Sequence, residues 1–281
     1  MKKRFKKTAK VALGLGTMGL TILGLTGCNN KLYQAQDNLN RVVLDALNAD
    51  ENSKNNIGGE FSSYSFLGSD VEKQDDSKYH VGINGISYSQ KSNRQALTTL
   101  NYVVDDSYFS EVENSDNKLV NALAEIVKNE ESSSIAVNKV NDINALNNTL
   151  LNCIEYDKSF NKNFLYGVKN FEIGDDSASF NAESVAQYSY LVMVSGGNGI
   201  FVPVTHYSEK YINQKIAVKL SKEEAETAKQ DESYIFDKFI ECVKSNQKDN
   251  YSVTLESCDD YKKLTAFNFD YENCIENGLE K

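Results

Sequence analysis

The sequence predicts an α+β fold, with mixed or antiparallel sheets and helices laid against them, arranged as two tandem related units. Three observations predict it. Runs rich in Val, Ile, Tyr and Thr alternate with amphipathic helical stretches. Asn-Gly dipeptides at Asn84-Gly85 and Asn198-Gly199 sit between β-rich runs, the strongest short signal for a tight hairpin. Three short segments also recur in the same order. Gly82-Ile83-Asn84-Gly85-Ile86 matches Gly196-Gly197-Asn198-Gly199-Ile200, Glu125-Ile126-Val127-Lys128 matches Glu241-Cys242-Val243-Lys244, and Asn152-Cys153-Ile154-Glu155 matches Asn273-Cys274-Ile275-Glu276. Their spacing grows along the chain, as small loop insertions in a copied unit require, and it exceeds the period of solenoid repeats.

Leu32, Ala35, Leu39, Val43, Ala46 and Leu47 fall at helical spacing, and the polar stretch 48–59 ends that helix. Strands are predicted at 79–83, 86–89 and 97–104. A helix follows at 118–129, with Leu119, Ala122, Leu123, Ile126 and Val127 on one face, then a strand at 135–140 and a helix at 142–154. The second half reads as strands 185–194, 200–205 and 216–220, one long helix 222–244, a strand at 251–255 and a helix at 261–276. Each unit is thus roughly ββ(β)αβα. Pro203 falls in a predicted strand, which places it on an edge or at a bulge. The division is 1–27, a leader; 28–56, an anchor and helix; 57–155, the first α+β unit; and 156–281, the second.

Composition narrows the function classes. The 281 residues carry 40 acidic and 30 basic side chains, a net charge of −10, with 40% hydrophobic residues, one Pro and no Trp. Collagen-like, coiled-coil, polytopic membrane and wholly disordered chains are disfavoured. A nucleic-acid partner is disfavoured too, because phosphate is repelled by an acidic chain.

The first 28 residues are the most specific part. Lys2, Lys3, Arg4, Lys6, Lys7 and Lys10 form a cationic start without acids, and 11–27 run uncharged and apolar or small. That is the layout of a secretory signal, too short and too glycine-diluted for an ordinary spanning helix. It closes on Leu25-Thr26-Gly27-Cys28, which resembles the lipobox of bacterial lipoproteins. The resemblance implies cleavage before Cys28, a diacylglycerol thioether on its sulfur and often an acylated new amino terminus. It therefore implies a membrane partner, through that lipid, on the extracytoplasmic face. Each buried methylene contributes about 0.8 kcal/mol, so two or three chains hold durably where one does not. Cleavage removes six basic residues and no acids, leaving 24 basic against 40 acidic. The alternative is an uncleaved anchor with Cys28 a bystander.

The rest of the chain offers weaker candidates. Cys153, Cys242, Cys258 and Cys274 lack C-x-x-C spacing and nearby His, so they read as buried thiols or as a disulfide, not as a metal site. Neither a metal nor any other cofactor is expected. His80 and His206 are the only imidazoles. A hydrolase would recruit Asp175 or Asp176, Ser195 and His206, but Ser195 lacks a G-x-S-x-G elbow. Asp105-Asp106, Asp175-Asp176 and Asp259-Asp260 are acid pairs, and Asn48, Asp50 and Asn52 mimic the start of a calcium loop without its Gly or final Glu. Tyr188 and Tyr190 share a strand face, with Tyr207 and Tyr211 following, a possible surface for a protein, peptide or glycan. These features predict a lipid-anchored module that acts by binding. The alternatives are a hydrolase of envelope polymers and an accessory subunit of a transport or secretion complex.

Overall fold

A computed structural model of the chain describes residues 29–74, 77–110, 112, 116–155, 160–195 and 201–260. It has two compact units, the first running through Val137 and the second starting at Asn138. Each is built on a four-stranded sheet whose strands lie side by side in chain order, and the class is α+β.

The first sheet comprises β1 (Ser63–Lys73), β2 (Lys78–Ser89), β3 (Arg94–Asp105) and β4 (Ser134–Val140). Before it come α1 (Asn29–Ala49) and α2 (Glu51–Ile57), and α3 (Asp116–Asn129) connects β3 to β4. Helix α1 buries Ala35, Leu39, Val43 and Leu47, the stripe read from the sequence, against α3 and β1. From α3, Leu119, Leu123, Ile126 and Val127 complete that core with Val81, Ile83, Leu100 and Tyr102 of the sheet. Asp50 caps α2 by accepting from the Ser53 amide at 2.7 Å, and Gly58 ends it in the left-handed region at φ 83°.

The second sheet comprises β5 (Lys162–Ile173), β6 (Ser177–Ser195), β7 (Phe201–Lys219) and β8 (Tyr251–Asp260). Helix α4 (Ile143–Asn152) precedes it, and α5 (Lys222–Gln230) and α6 (Ser233–Lys244) lie between β7 and β8. The expected single helix 222–244 is broken in two. The Asp231 carboxylate accepts from both the amide and the hydroxyl of Ser233, an alternative to continued helix. Phe180 of β6 packs edge-on against Phe236 and Phe239 of α6, all three fully buried.

The repeat unit differs in phase from the sequence reading. Helix α4, read as closing the first unit, packs on β5 and α6. Helix α1 packs in the same way on β1 and α3. Both units therefore run helix, three-strand meander, helix, fourth strand, and in both the fourth strand joins the third.

A finer correspondence went unread in the sequence. Strand β1 has a bulge between Phe66 and Gly68, and the Phe66 amide donates to the side-chain oxygen of Asn40 on α1 at 2.7 Å. Strand β5 has a bulge between Leu165 and Gly167, and the Leu165 amide donates to Asn147 on α4 at 2.6 Å. A bulge leaves a strand amide without its ladder partner. In both units an asparagine from the preceding helix supplies one. Of the recurring sequence segments, Glu125–Lys128 and Glu241–Lys244 are also equivalent: both form the last turn of the helix before the fourth strand, burying Ile126 and Cys242 fully.

The glycine-rich segment of the first unit is not a turn, and its match at 196–200 lies outside the described residues. Asn84-Gly85, expected to turn, lies inside the unbroken β2, so the strands predicted at 79–83 and 86–89 are one. The Tyr64 ring of β1 lies over Gly85, where a Cβ would overlap that ring and the Ser65 carbonyl. Asn84 is fully buried, accepting from the Thr99 hydroxyl at 2.8 Å and donating to Asp70 at 3.1 Å. The turn that does join β2 to β3 has Asn93 at φ 55°. Strands β1 and β5 were not expected at all, β6 is longer than expected, and the strands predicted at 200–205 and 216–220 belong to one, β7. The predicted helix 261–276 and the second Asn-Cys-Ile-Glu segment lie outside the described residues.

Two outcomes follow from this packing. Gly85→Ala should lower unfolding free energy by about 1–3 kcal/mol by forcing Tyr64 aside, whereas Gly82→Ala, with its nearest neighbour atoms at 3.5–3.7 Å, should change it far less; urea unfolding of both variants checks this. Asn147→Ala should cost about 1–3 kcal/mol by orphaning the buried Leu165 amide, with hydrogen exchange at that amide accelerated in the same variant.

Candidate functional site

Among the described residues, the two central strands of the second sheet outrun their neighbours. Strands β6 and β7 pair without a register shift from Ser177↔Lys219 to Ser195↔Phe201. Pairing of β5 with β6 is described as far as Lys162↔Gln187, and that of β8 with β7 as far as Lys210↔Asp260, the last described residue. Beyond these points eight rungs, Tyr188↔Ser208 to Ser195↔Phe201, have only each other among the described residues. At about 3.4 Å per residue this two-stranded arm extends roughly 24 Å.

Side-chain alternation gives the arm two faces. One carries Tyr188, Tyr190, Val192 and Val194 with Ser208, His206, Val204 and Val202 opposite; the other carries Ser189, Leu191, Met193 and Ser195 with Tyr207, Thr205, Pro203 and Phe201. Both are mainly apolar and both are open: Tyr190 is 47% exposed and Val202 46% on the first, Leu191 71% and Phe201 61% on the second. Residues 184–208 include no Asp, Glu, Lys or Arg, in a chain that is 25% charged. Exposed apolar patches beyond a few hundred Å² mark interaction sites on soluble proteins.

The arm's backbone directions follow from its base. The Gln187 carbonyl accepts from Asn161 on the β5 side, and the Lys219 amide donates to Asn250 on the β8 side. Odd-numbered residues of β6 and β7 thus turn their N–H and C=O away from the shared ladder, and even-numbered ones turn theirs into it. Pro203 stands at an odd position, so its missing N–H costs the ladder nothing.

The base is anchored by aromatic and polar contacts. Tyr188 is buried edge-on against Phe160, and Tyr190 stacks on His206 with centroids 5.9 Å apart. Tyr211, also buried, donates to Glu183 at 2.7 Å, and Lys169 meets the same carboxylate at 2.9 Å. Glu209 accepts from Gln187 at 3.2 Å, but burial outweighs that bond and raises its carboxyl above the ordinary range.

The hydrolase candidates are not brought together. Ser195 and His206 lie on opposite faces of the arm, and the Tyr190↔His206 rung is five residues, about 17 Å, from Ser195. Asp175 and Asp176 precede β6, at the other end of the ribbon, where Asp175 pairs with Lys229 at 3.1 Å and the Asp176 carboxylate accepts from Ser177. His80 lies within β2 opposite Glu72 and Val103. Asp105 ends β3, Asp106 begins a 3-10 turn, and Asp259 pairs with Tyr211. Among the described residues no three His, Cys, Asp or Glu are grouped to hold a metal. Two of the three residues that mimic a calcium loop have structural duties: Asn48 bonds the Phe61 amide and carbonyl, and Asp50 is a helix cap. Cys242 is a buried thiol and Cys153 a half-buried one, pushed up to about 11 chiefly by burial; Cys258 is half-buried on β8. Cys28, Cys274 and 196–200, the residues joining β6 to β7, lie outside the described residues.

Of the tyrosines singled out in the sequence, Tyr188 and Tyr190 do share a face, Tyr207 occupies the other, and Tyr211 belongs to the core. The arm itself was missed, although its signal, the uncharged run 184–208, was there to find. Comparison of the chain with protein-family models, with curated proteins and with solved structures finds no match.

Glu209→Gln should stabilise the fold at pH 7. The raised carboxyl penalises the ionised state, so the penalty is full above the folded value and absent below the ordinary 4.5. Urea unfolding should therefore show the advantage of Glu209→Gln shrinking as pH falls towards 4.

Proposed function

We propose that the protein is a lipid-anchored extracytoplasmic lipoprotein that acts by binding, with the β6–β7 arm as its contact element. The observation that carries the binding reading is the arm, which offers two open apolar faces and, among the described residues, unpaired strand edges. Tyr, Phe and Met, the residues enriched in interface cores, supply much of its exposed surface. The anchoring reading is supported by Leu25-Thr26-Gly27-Cys28 closing an uncharged leader behind a cationic start. Helix α1 begins at Asn29, so no flexible tether separates that cysteine from the folded body. The acidic balance favours a body that stands off an anionic leaflet.

The anchor is tested with Cys28→Ala. Loss of metabolic lipid labelling, with release into the medium or accumulation of uncleaved precursor, is expected; unchanged lipid labelling and membrane retention refute it. The binding role is tested with a photo-crosslinking amino acid at Tyr207 and, separately, at Lys222, which is exposed away from the arm. Covalent adducts in intact cells are expected from position 207 and not from 222. An arm position that yields none overturns the reading.

A further inference from the structure

We infer that the arm's partner is a lipid bilayer, whose near leaflet receives the distal rungs of the arm to interfacial depth. This rests on the reading of the arm as the contact element and goes on to name its occupant. Of the exposed large apolar side chains among the described residues, all but Tyr33 and Val103 are on this arm. They stand on both of its faces, and a bilayer covers both at once.

The distribution of polarity identifies the partner. In a strand pair laid against protein, apolar and polar side chains alternate, leaving one face dry and the other wet. Here polarity changes along the arm instead of across it. At the base, Gln187↔Glu209 and Ala186↔Lys210 keep charges on β7. Two rungs, Ser189↔Tyr207 and Tyr190↔His206, then put aromatic rings on both faces, Tyr207 on one and the stacked Tyr190 and His206 on the other. The five rungs beyond, Leu191↔Thr205 to Ser195↔Phe201, hold two hydroxyls and eight apolar residues. Leu191, Met193 and Phe201 are exposed on one face, and Val194, Val202 and Val204 on the other. Layers stacked in the order charged, tyrosine, apolar match a planar boundary between water and hydrocarbon, where tyrosine keeps its hydroxyl wet and its ring dry. A protein groove sorts residues chiefly by face, not by depth.

The dimensions agree. The five apolar rungs span about 14 Å, close to half of a hydrocarbon core about 30 Å thick. Inclined at about 45°, as strands in bilayers are, they reach about 10 Å, the depth of interfacial elements. At that depth water and headgroup oxygens still meet outward-turned backbone groups, which deeper hydrocarbon leaves unsatisfied. Charge sets the same limit. The chain's net −10 is repelled by anionic headgroups, whereas 184–208 carry no Asp, Glu, Lys or Arg. The arm thus enters a surface from which the charged body is held back, and its docking draws on apolar burial, not on attraction between charges.

The test uses the full-length chain reconstituted into phosphatidylcholine vesicles. The chain has no Trp, so Met193→Trp, Tyr207→Trp and Lys222→Trp each report one level: the apolar rungs, the tyrosine band and the start of α5. Phosphatidylcholine brominated along its tails should quench Met193→Trp at least twofold, Tyr207→Trp less, and Lys222→Trp not at all. Leu191→Asp, added to Met193→Trp, puts a carboxylate into the inserted layer and should abolish most of the quenching. Val103→Asp, at an exposed apolar site off the arm, should leave it unchanged. Equal quenching at 193 and 222, or none at 193, overturns the inference. Quenching that requires added phosphatidylglycerol overturns it too, because attraction between charges is then what docks the chain. No quenching at 193 together with a protein adduct at position 207 in cells overturns the bilayer and leaves the binding reading standing; neither signal sinks both.

Discussion

The structure turns on where strand N–H groups find acceptors once the regular ladder cannot serve them. Twice a bulge in a unit's first strand releases an amide, and twice an asparagine from the preceding helix takes it: Asn40 for Phe66 and Asn147 for Leu165. That bond does more than remove a desolvation penalty. It sets the register of a helix on a sheet, and so places the stripe of Leu39 and Val43, or of Leu146 and Leu150, over its core. The arm poses the same problem on a larger scale. Among the described residues its outer amides meet no such asparagine.

The bulge and its asparagine give the tandem relationship a physical meaning. Two chains of similar composition can reach four-stranded sheets independently. Sharing an unpaired amide at the same place, satisfied by the same residue type from the same helix, is a more demanding coincidence. The copies have diverged most in their central hairpins: β2 and β3 are 12 residues each, whereas β6 and β7 are 19. Among the described residues the first unit's hairpin is flanked by neighbours, and the second's outreaches them.

Helices were legible in the sequence because their signal is local. The α1 stripe and the α3 face follow from a 3.6-residue period, and Asp142 announces α4 as its cap. Strand interiors were legible only in part. Asn84-Gly85 looks like a turn, and what keeps it extended is a tyrosine about twenty residues earlier together with Thr99 across the ladder; neither is visible in a short window. Strand β1, with Ser, Gly, Asp and Glu among its eleven residues, has little β-propensity of its own and is held by its pairing with β2. The arm was legible as an uncharged run but not as a projection, because projection depends on where β5 and β8 stop. The serine, histidine and aspartates that suggested a triad were separated by the pleat, which sends Ser195 and His206 to opposite faces.

Pro203 has an effect beyond its own rung. A ribbon with two equivalent open edges can add copies without limit, each newcomer presenting the same edge it has just used, which is how strands grow into fibrils. With one side lacking an amide, growth on that side stalls after the first addition. A single ring-closed residue thus separates an edge able to keep adding strands from one that is not.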